Sequence, residues 1–140
     1  MMDQETAVRL VREALAAREQ AYARYSHYTV GAALLTEEGE VYRGCNVESA
    51  SYGATNCAER TAVFKAVSEG KRKFLAIAIA GGMEGKEPAE YAYPCGICRQ
   101  VLREFVADDF VVLVARSETD YREYRFERML PFGFGGDSIK

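Results

Sequence analysis

The sequence has no long apolar run. Its longest, Phe74 to Ala80, is far shorter than the roughly 18 residues that a membrane-spanning helix requires. The N-terminal residues include Asp3 and Glu5 and hold no apolar block like that of a secretory signal. These two absences argue against a membrane partner and against export, and we expect a cytoplasmic protein.

An excess of basic residues is also missing. The chain has 18 lysines and arginines against 21 aspartates and glutamates, for a formal net charge of -3, and its basic residues are scattered along the sequence. Proteins that bind a phosphate backbone usually gather such residues into a patch or stripe. We therefore expect no nucleic-acid partner.

Histidine and cysteine are both scarce. His27 is the only histidine, and the cysteines are Cys45, Cys57, Cys95 and Cys98. A chain of 140 residues that is 49% hydrophobic can bury a core without disulfide bonds, so we expect a single domain over residues 1–140. In a reducing cytosol, thiols of such a chain are better explained as metal ligands or free thiols than as disulfide partners.

The sequence does carry a clear helical pattern in three places. Apolar residues recur with a period of about 3.6 residues in the segments 6–23, 58–69 and 96–105. Gly70 is a typical residue for ending the second helix, and the pair Pro94-Cys95 for beginning the third. These segments predict three helices.

Runs of β-branched and small apolar residues predict the strands. "YTVGAALLT" and "VYRGCNVE" flank the turn "EEGE" and predict a hairpin, and a strand or turn is expected near "YREYRF". "FLAIAIAG" and "FVVLVA" are apolar throughout, which is typical of strands buried on both faces. This order of elements predicts an α/β fold, a three-layer α/β/α sandwich with a mixed central sheet.

The segment "PCGIC" places two thiols, Cys95 and Cys98, at the start of a predicted helix. Three interpretations compete. A redox dithiol is one, although thioredoxin-like motifs normally follow the first strand of a different strand order. A structural zinc site is another, but it would need a fourth ligand besides Cys57, and neither His27 nor Cys45 is well placed in the sequence. The third is a catalytic zinc held by Cys57, Cys95 and Cys98, with water in the fourth position.

Charge considerations favour the third interpretation. Cys57, Cys95 and Cys98 all lie at predicted helix N-termini, where free N–H groups and the helix dipole favour thiolates. Three thiolates on Zn²⁺ leave a net negative charge that a buried site must offset. Arg60 and Arg99 are the cations that the sequence places nearby, and a hydrogen bond from Arg60 to a ligand sulfur would also adjust the acidity of the metal.

Glu59 follows Cys57 by two residues. On the first turn of a helix, its carboxylate can reach past the metal toward a bound water without being a ligand. Such a carboxylate can accept a proton from that water and deliver it to a substrate nitrogen. Taken alone, Glu59 is better explained as an acidic residue favoured by the helix dipole, and it is the company of "PCGIC" that favours the acid–base role.

These residues resemble the zinc-dependent nucleoside and nucleobase deaminases. Their signature is a His or Cys, any residue and Glu, followed later by Pro-Cys-x-x-Cys, and it stands here as Cys57-Ala58-Glu59 and "PCGIC". The segments "AYARYSHYTVGAALLTEEGEVYRGCNVESASYG", "CAERTAVFKAVSEG" and "PCGICRQVLREF" are similar to the small cytidine deaminases of the three-cysteine, homotetrameric type. The resemblance runs from Ala21 to Phe134.

The resemblance implies a cytidine deaminase-like fold and a hydrolase of pyrimidine salvage. The enzyme would bind one Zn²⁺ per subunit and convert cytidine and deoxycytidine to uridine and deoxyuridine with release of ammonia. Its partners would be a small-molecule nucleoside and three further copies of the chain in a homotetramer.

The resemblance also implies roles for individual residues. Cys57, Cys95 and Cys98 would be zinc ligands, Glu59 the proton shuttle and Arg60 the residue beside the thiolates. Asn46 and Glu48 would bind the ribose hydroxyls, and the Ala58 carbonyl would accept a hydrogen bond from the exocyclic amine. Tyr28 stands where the family usually has Phe near the substrate, and Tyr52 and Phe134 match positions that neighbouring subunits contribute to the site.

Two other functions stay open at this point. One is deamination of a different cytosine-bearing substrate, such as a nucleoside antibiotic or a nucleobase. The other is a catalytically silent zinc-folded module used for assembly, although Glu59 would have no use there. The loop from Gly81 to Tyr93 is longer than typical for the family and would shape access to the substrate.

Overall fold

A computed structural model describes residues 2–139 of the chain. Five strands form one sheet in the order β2-β1-β3-β4-β5, and three α-helices accompany it. The helices are α1 (Gln4–Ala17), α2 (Ala58–Ser68) and α3 (Gly96–Phe105). The strands are β1 (Tyr28–Thr36), β2 (Val41–Cys45), β3 (Phe74–Met83), β4 (Val111–Ser117) and β5 (Asp120–Arg125).

The sheet is mixed, as the sequence predicts. Strands β1 and β2 form the expected antiparallel hairpin, and β1 also pairs antiparallel with β3. Among the five strands of the sheet, only β3 and β4 pair in parallel, and β5 closes the sheet antiparallel to β4. The predicted strand near "YREYRF" is therefore the edge strand β5.

Helices cover both faces of this sheet. One buried cluster joins inward-facing residues of the sheet to α2 and α3, and a second joins the opposite face to α1. Alternation along β3 shows the division, since Ile77 and Ile79 belong to the first cluster while Ala76 and Ala78 belong to the second. The α/β/α sandwich is thus confirmed.

Helix α1 differs from its predicted span of residues 6–23 at both ends. It begins earlier because the Asp3 carboxylate caps it, accepting a hydrogen bond from the Thr6 amide at 2.8 Å. It ends earlier, at Ala17, and continues as a 3₁₀ turn over Arg18–Gln20. Arg18 turns its guanidinium into the protein there, so the regular helical stripe is interrupted.

Strand β2 ends at Cys45, although the pattern predicts that it continues through Glu48. The next residues leave the hairpin and run between two other segments: the Glu48 amide donates to Tyr22 O, and the Val47 amide to Asn56 O, each at 2.9 Å. Because of these bonds, the stretch 46–48 lies directly beside the segment that leads into α2.

Helix α2 lies unusually close to the hairpin at Gly44. A Cβ on Gly44 would come within 2.3 Å of Ala58 O and 2.4 Å of Ala62 N, which are backbone atoms of the first turn of α2. The missing side chain therefore sets how closely α2 approaches β2.

In residues 2–139, no helix is both long and apolar enough to cross a membrane.

We predict that Gly44→Ala destabilises the protein by about 1–3 kcal/mol, because the added methyl group overlaps rigid backbone atoms of α2. Gly53→Ala is the matched control, since a Cβ at Gly53 meets nothing within 4 Å. Denaturant unfolding of both variants checks this. Equal stability of Gly44→Ala and Gly53→Ala would contradict the close approach.

Candidate functional site

Three of the four cysteines meet in one cluster. Cys57 is the N-cap residue of α2, Cys95 is the N-cap residue of α3, and Cys98 lies in the first turn of α3. Their sulfur atoms all lie within 4.8 Å of one another, and the Sγ atoms of Cys57 and Cys95 are 3.8 Å apart. Residues about 40 positions apart in the sequence are thus brought together because two helices begin at the same point.

The geometry of the cluster fits a zinc ion. Zn–S bonds of about 2.3 Å in a tetrahedral arrangement place two ligand sulfurs about 3.8 Å apart, which matches the Cys57–Cys95 distance. His27 and Cys45 do not belong to the cluster, so the described residues offer three ligands rather than four. A three-ligand site leaves one position for water, and this is the arrangement of catalytic zinc.

The thiols already interact as a donor and an acceptor. A hydrogen bond from the Cys98 thiol, supported by Arg60, lowers the pKa of Cys57 to about 5. The same bond, together with burial, raises the pKa of Cys98. The Cys98 amide also points at Cys95 Sγ, at 3.5 Å. A bound divalent cation would replace the shared proton, because coordinating thiols are deprotonated.

Arg60 is the cation of this site. Its Nη2 donates to Cys57 Sγ at 3.3 Å. Burial disfavours its charge, but the bonds to Cys57 and Cys98 outweigh burial and raise its pKa. Its Nε is the one buried side-chain N or O atom in residues 2–139 that lacks a hydrogen-bond partner. The guanidinium is thus oriented toward the sulfurs although this leaves one of its own donors without an acceptor, which costs stability.

Arg99, the second cation expected from the sequence, does not contact the thiols. Its Nε donates to Pro94 O at 2.7 Å and its Nη1 to Met129 O at 2.8 Å. Of the two cations, only Arg60 donates a hydrogen bond to a sulfur, and the charge compensation expected from Arg99 stays a prediction. On α3 its side chain turns back along the chain before Cys95 and holds that backbone in place.

Glu59 lies on the first turn of α2 and is only 4% exposed. Burial, with the negative charge of Cys57 adding to it, raises the pKa of its carboxyl group to about 7. The group is therefore close to half-protonated near neutral pH, which is the condition for both accepting and donating a proton. Buried carboxylates with such pKa values are typical of acid–base residues.

Asn46 is buried, and its side chain replaces the strand pairing that ends at Cys45. The Val30 amide donates to Asn46 Oδ1 and Asn46 Nδ2 donates to Tyr28 O, each at 2.9 Å. One hydrogen on Nδ2 and one lone pair on Oδ1 stay free for a further partner. The predicted contact with ribose stays a prediction, but the amide is held rigidly for it.

Glu48 is held by the loop that precedes β1. Its Oε1 accepts from the amides of Tyr25 and Ser26, at 2.9 and 3.0 Å, and its Oε2 accepts from the Ser26 hydroxyl. These bonds, with the Ser26 hydroxyl first, lower the pKa of Glu48. Glu48 also lines a surface depression of about 380 Å³ together with Tyr52 and Thr55.

Ser26 is a residue that the sequence analysis missed. Its hydroxyl donates to Glu48 and accepts from the Tyr28 amide at 3.0 Å, so it fixes the carboxylate to the start of β1. Nothing in the stretch "RYSHYT" marks this serine as functional. Its role is seen only in the structure, where residues 46–48 pack against the loop that precedes β1.

The remaining predicted residues are spread around this centre. Tyr28 is 36% exposed, Tyr52 76% and Phe134 58%. Tyr52 contacts Tyr25 edge-on, with ring centroids 6.1 Å apart. The Ala58 carbonyl lies against Gly44 inside the first turn of α2, and its contact with a substrate amine stays a prediction.

Comparison with known proteins identifies what this arrangement resembles. Residues 4–114 match the family described as cytidine and deoxycytidylate deaminase zinc-binding region. A cytidine deaminase of Sporosarcina psychrophila is 45% identical over 94% of this chain and 93% of its own length. One of Halalkalibacterium halodurans is 46% identical over 93% of this chain and 95% of its own.

A solved structure agrees with these sequence matches. The crystal structure of cytidine deaminase from Burkholderia pseudomallei superposes with a TM-score of 0.83 at 44% sequence identity, covering 95% of this chain and 100% of the other. The whole sheet and its helices take part in this likeness, not the cysteine segments alone.

Proposed function

This chain belongs to the cytidine deaminase family, and from that membership we propose that it hydrolyses cytidine and deoxycytidine to uridine and deoxyuridine, with release of ammonia. The observation that carries the proposal is the buried Glu59 carboxyl group beside a cluster of three thiols. A silent zinc-folded module would have no use for this carboxyl group, because burying it costs stability.

Zinc is the metal of this family, and we propose that Cys57, Cys95 and Cys98 hold it here. When bound, it would supply a water whose pKa is lowered toward about 7 and polarise the attacking oxygen. The three thiolates give the site an excess of negative charge. The bond from Arg60 to Cys57 Sγ at 3.3 Å draws charge from the sulfur and so keeps the metal acidic enough for this purpose.

We propose Glu59 as the proton carrier of the reaction. It accepts a proton from the attacking water and delivers it to the ring nitrogen next to the amine-bearing carbon. It then passes the second proton of that water to the departing amine, which leaves as ammonia. A pKa of about 7 suits both directions of transfer, because neither protonation state is strongly favoured.

We predict that Glu59→Gln binds zinc normally but loses about 10²–10⁴-fold in kcat, because an amide cannot carry the proton. The measurements are metal content and the absorbance change on cytidine deamination. The Cys57→Ser variant is the control, since it should lose metal and activity together. If Glu59→Gln turned over cytidine as fast as the unsubstituted protein, Glu59 would not be the proton carrier.

The same variant has a second, pH-dependent consequence for stability. The pKa of Glu59 rises from its ordinary value of 4.5 to about 7 on folding, so between these values the folded state binds more protons than the unfolded state. Measured against Glu59→Gln, the metal-free parent should therefore lose on the order of 3 kcal/mol of stability as pH rises through this window, and the comparison cancels the opposite contribution of Cys57, whose pKa is lowered on folding. Glu59→Gln should not show this loss.

We propose that Asn46 and Glu48 bind the ribose hydroxyls. Both are fixed by hydrogen bonds to the backbone at the start of β1, and a lowered pKa keeps Glu48 ionised. An ionised carboxylate forms the stronger hydrogen bond to a hydroxyl group. Tyr28, whose carbonyl holds Asn46, would line the substrate side of the same wall.

We predict that Glu48→Gln weakens uridine inhibition about 10–100-fold but leaves uracil inhibition unchanged, because only the nucleoside carries the hydroxyl groups. Competitive inhibition constants for the two compounds check this. Glu37→Gln, an exposed carboxylate on the β1–β2 turn, is the matched control. An equal loss for uridine and uracil would mean that Glu48 acts on the base or on the fold instead.

We propose that four chains assemble and that Tyr52 and Phe134 complete a neighbour's site. Large exposed apolar side chains support this, notably Tyr52, Phe134 and Ile97 at 76%, 58% and 62% exposure. Such surface is usual at interfaces between subunits. We also propose that residues 1–140 act as one catalytic domain in the cytoplasm, where reduced thiols are available to zinc.

We predict that mixed assemblies of Glu59→Gln and Phe134→Ala chains are more active than the sum of the two variants alone. A Phe134→Ala chain retains its own Glu59 and would receive Phe134 from its neighbour. Co-expression, sedimentation and a deamination assay check this. The control mixes Glu59→Gln with the double variant Glu59→Gln/Phe134→Ala, which has no functional Glu59; activity no higher than the sum in the first mixture would contradict sharing.

A further inference from the structure

The segment between β3 and the second metal-binding helix passes from one face of the sheet to the other. We call residues 84–93 the strap. Strand β3 ends with Gly81 and Gly82, which point to opposite faces because successive strand residues alternate. Gly81 is paired with Val30, on the face of α2 and α3, and Gly82 with Thr29, on the face of α1.

On the α1 face, the strap lies on Gly82. A Cβ there would be 3.0 Å from Pro88 Cα and 3.1 Å from Arg18 Nη2. Gly82 does not have a positive φ, so a side chain is excluded here by space and not by backbone conformation. The absent side chain lets Pro88 and Arg18 both reach the end of the strand.

Arg18 joins the strap to the sheet. Its Nη2 donates to Met83 O at 3.2 Å and to Lys86 O at 2.9 Å, and its Nε donates to Thr29 O at 3.1 Å. Arg18 is only 9% exposed, and burial lowers the pKa of its guanidinium group. No carboxylate among residues 2–139 forms an ion pair with it. Burying a cation among neutral carbonyl groups costs free energy unless the cation donates hydrogen bonds to them. The Arg18 side chain is therefore restricted to the one position in which it makes these bonds.

On the α2 and α3 face, the strap ends on Gly81. A Cβ there would be 3.1 Å from Ala92 Cβ and 3.1 Å from the Tyr28 hydroxyl. Ala92 is three residues before Cys95, and Tyr28 is the residue whose carbonyl holds Asn46. Ala92 and the Tyr28 ring therefore both lie against Gly81, and the strap leads from there to Cys95, the proposed metal ligand.

A second attachment holds the strap after its crossing. The Tyr91 ring lies between two guanidinium groups, 4.8 Å from Arg116 and 4.3 Å from Arg122, and the Tyr91 hydroxyl donates to Asp120. All three partners belong to the β4–β5 hairpin or its strands. The strap is thus fixed to β3 before the crossing and to the β4–β5 hairpin after it.

We propose that Arg18 is a positioning residue of the metal site, which it reaches through the strap from the opposite face of the sheet. By fixing the carbonyls of Met83 and Lys86, it sets where the strap crosses and hence where Ala92 and Cys95 lie. This inference rests on the proposed role of Cys95 as a ligand. A loosened strap would let Cys95 move away from Cys57, which shortens the residence time of the metal.

The test uses Arg18→Met, which keeps an unbranched side chain, shorter than that of arginine, and removes every donor. In the metal-free protein, hydrogen exchange of the Lys86 amide, which donates to Met83 O at 3.0 Å, should become about tenfold faster, while exchange of α1, α2 and β4 stays unchanged. In the zinc-loaded protein, release of zinc to a chelator should also be about tenfold faster, within the range seen when residues that support metal ligands are changed.

Two controls separate this role from a general loss of stability. Arg12→Met removes an arginine of α1 that bonds only Glu118 at the surface and should change neither measurement. Val11→Ala weakens the buried face of α1 and should lower the free energy of unfolding without faster zinc release at temperatures where the protein stays folded.

Gly82→Ala carries the same test without altering Arg18. The added methyl group would meet Pro88 and the Arg18 guanidinium, so hydrogen exchange in the strap and the rate of zinc release should both increase. If Arg18→Met does not fold, Gly82→Ala tests the proposal in its place. Unchanged strap exchange, or a loosened strap with unchanged zinc release, would overturn the proposal. If the parent fails to bind zinc, the proposed function is wrong, but the exchange result still shows whether Arg18 holds the strap.

Discussion

The structure depends on two helices that begin at the same point and aim their N-termini at a shared cluster of sulfur atoms. Cys57 begins α2 and Cys95 begins α3, so free amides and two helix dipoles converge where the negative charge of the thiolates would collect. Arg60 supplies the remaining positive charge. The rest of the fold can be understood as the means of holding these two helices at that distance.

Glycines of the sheet allow both helices to take these positions, but they do so in different ways. Helix α2 approaches the hairpin because Gly44 leaves room for Ala58 and Ala62, and that contact is direct. Helix α3 has no comparable contact at its N-terminus, and its position is set by the segment that precedes it, which crosses the sheet over Gly82 and Gly81. The two halves of the metal site are thus positioned by different means, one by helix packing and one by a loop.

Glu59 shows that the site is built at the expense of stability. Its surroundings disfavour the charged form of this carboxyl group, which is 4% exposed and has a pKa of about 7. The Nε of Arg60 is a second cost, because it is buried without a hydrogen-bond partner. Both costs are met by the large apolar clusters on the two faces of the sheet. Asn46 has the opposite character, because its amide both stabilises the end of the hairpin and presents free donors and acceptors to the proposed substrate.

The sequence by itself determined the kinds of elements and the proposed set of ligands. Residue composition predicted β1 at Tyr28–Thr36 and periodicity predicted α3 at Gly96–Phe105 without error, because both signals are carried by residues close together in the chain. The motifs Cys57-Ala58-Glu59 and "PCGIC", each also a short stretch of chain, indicated zinc chemistry. Only the tertiary structure decided that β2 stops at Cys45, that Arg99 faces carbonyls rather than sulfurs, and that Arg18 reaches Lys86. Those facts depend on burial and on contacts between residues far apart in sequence, and a local pattern contains no information about either.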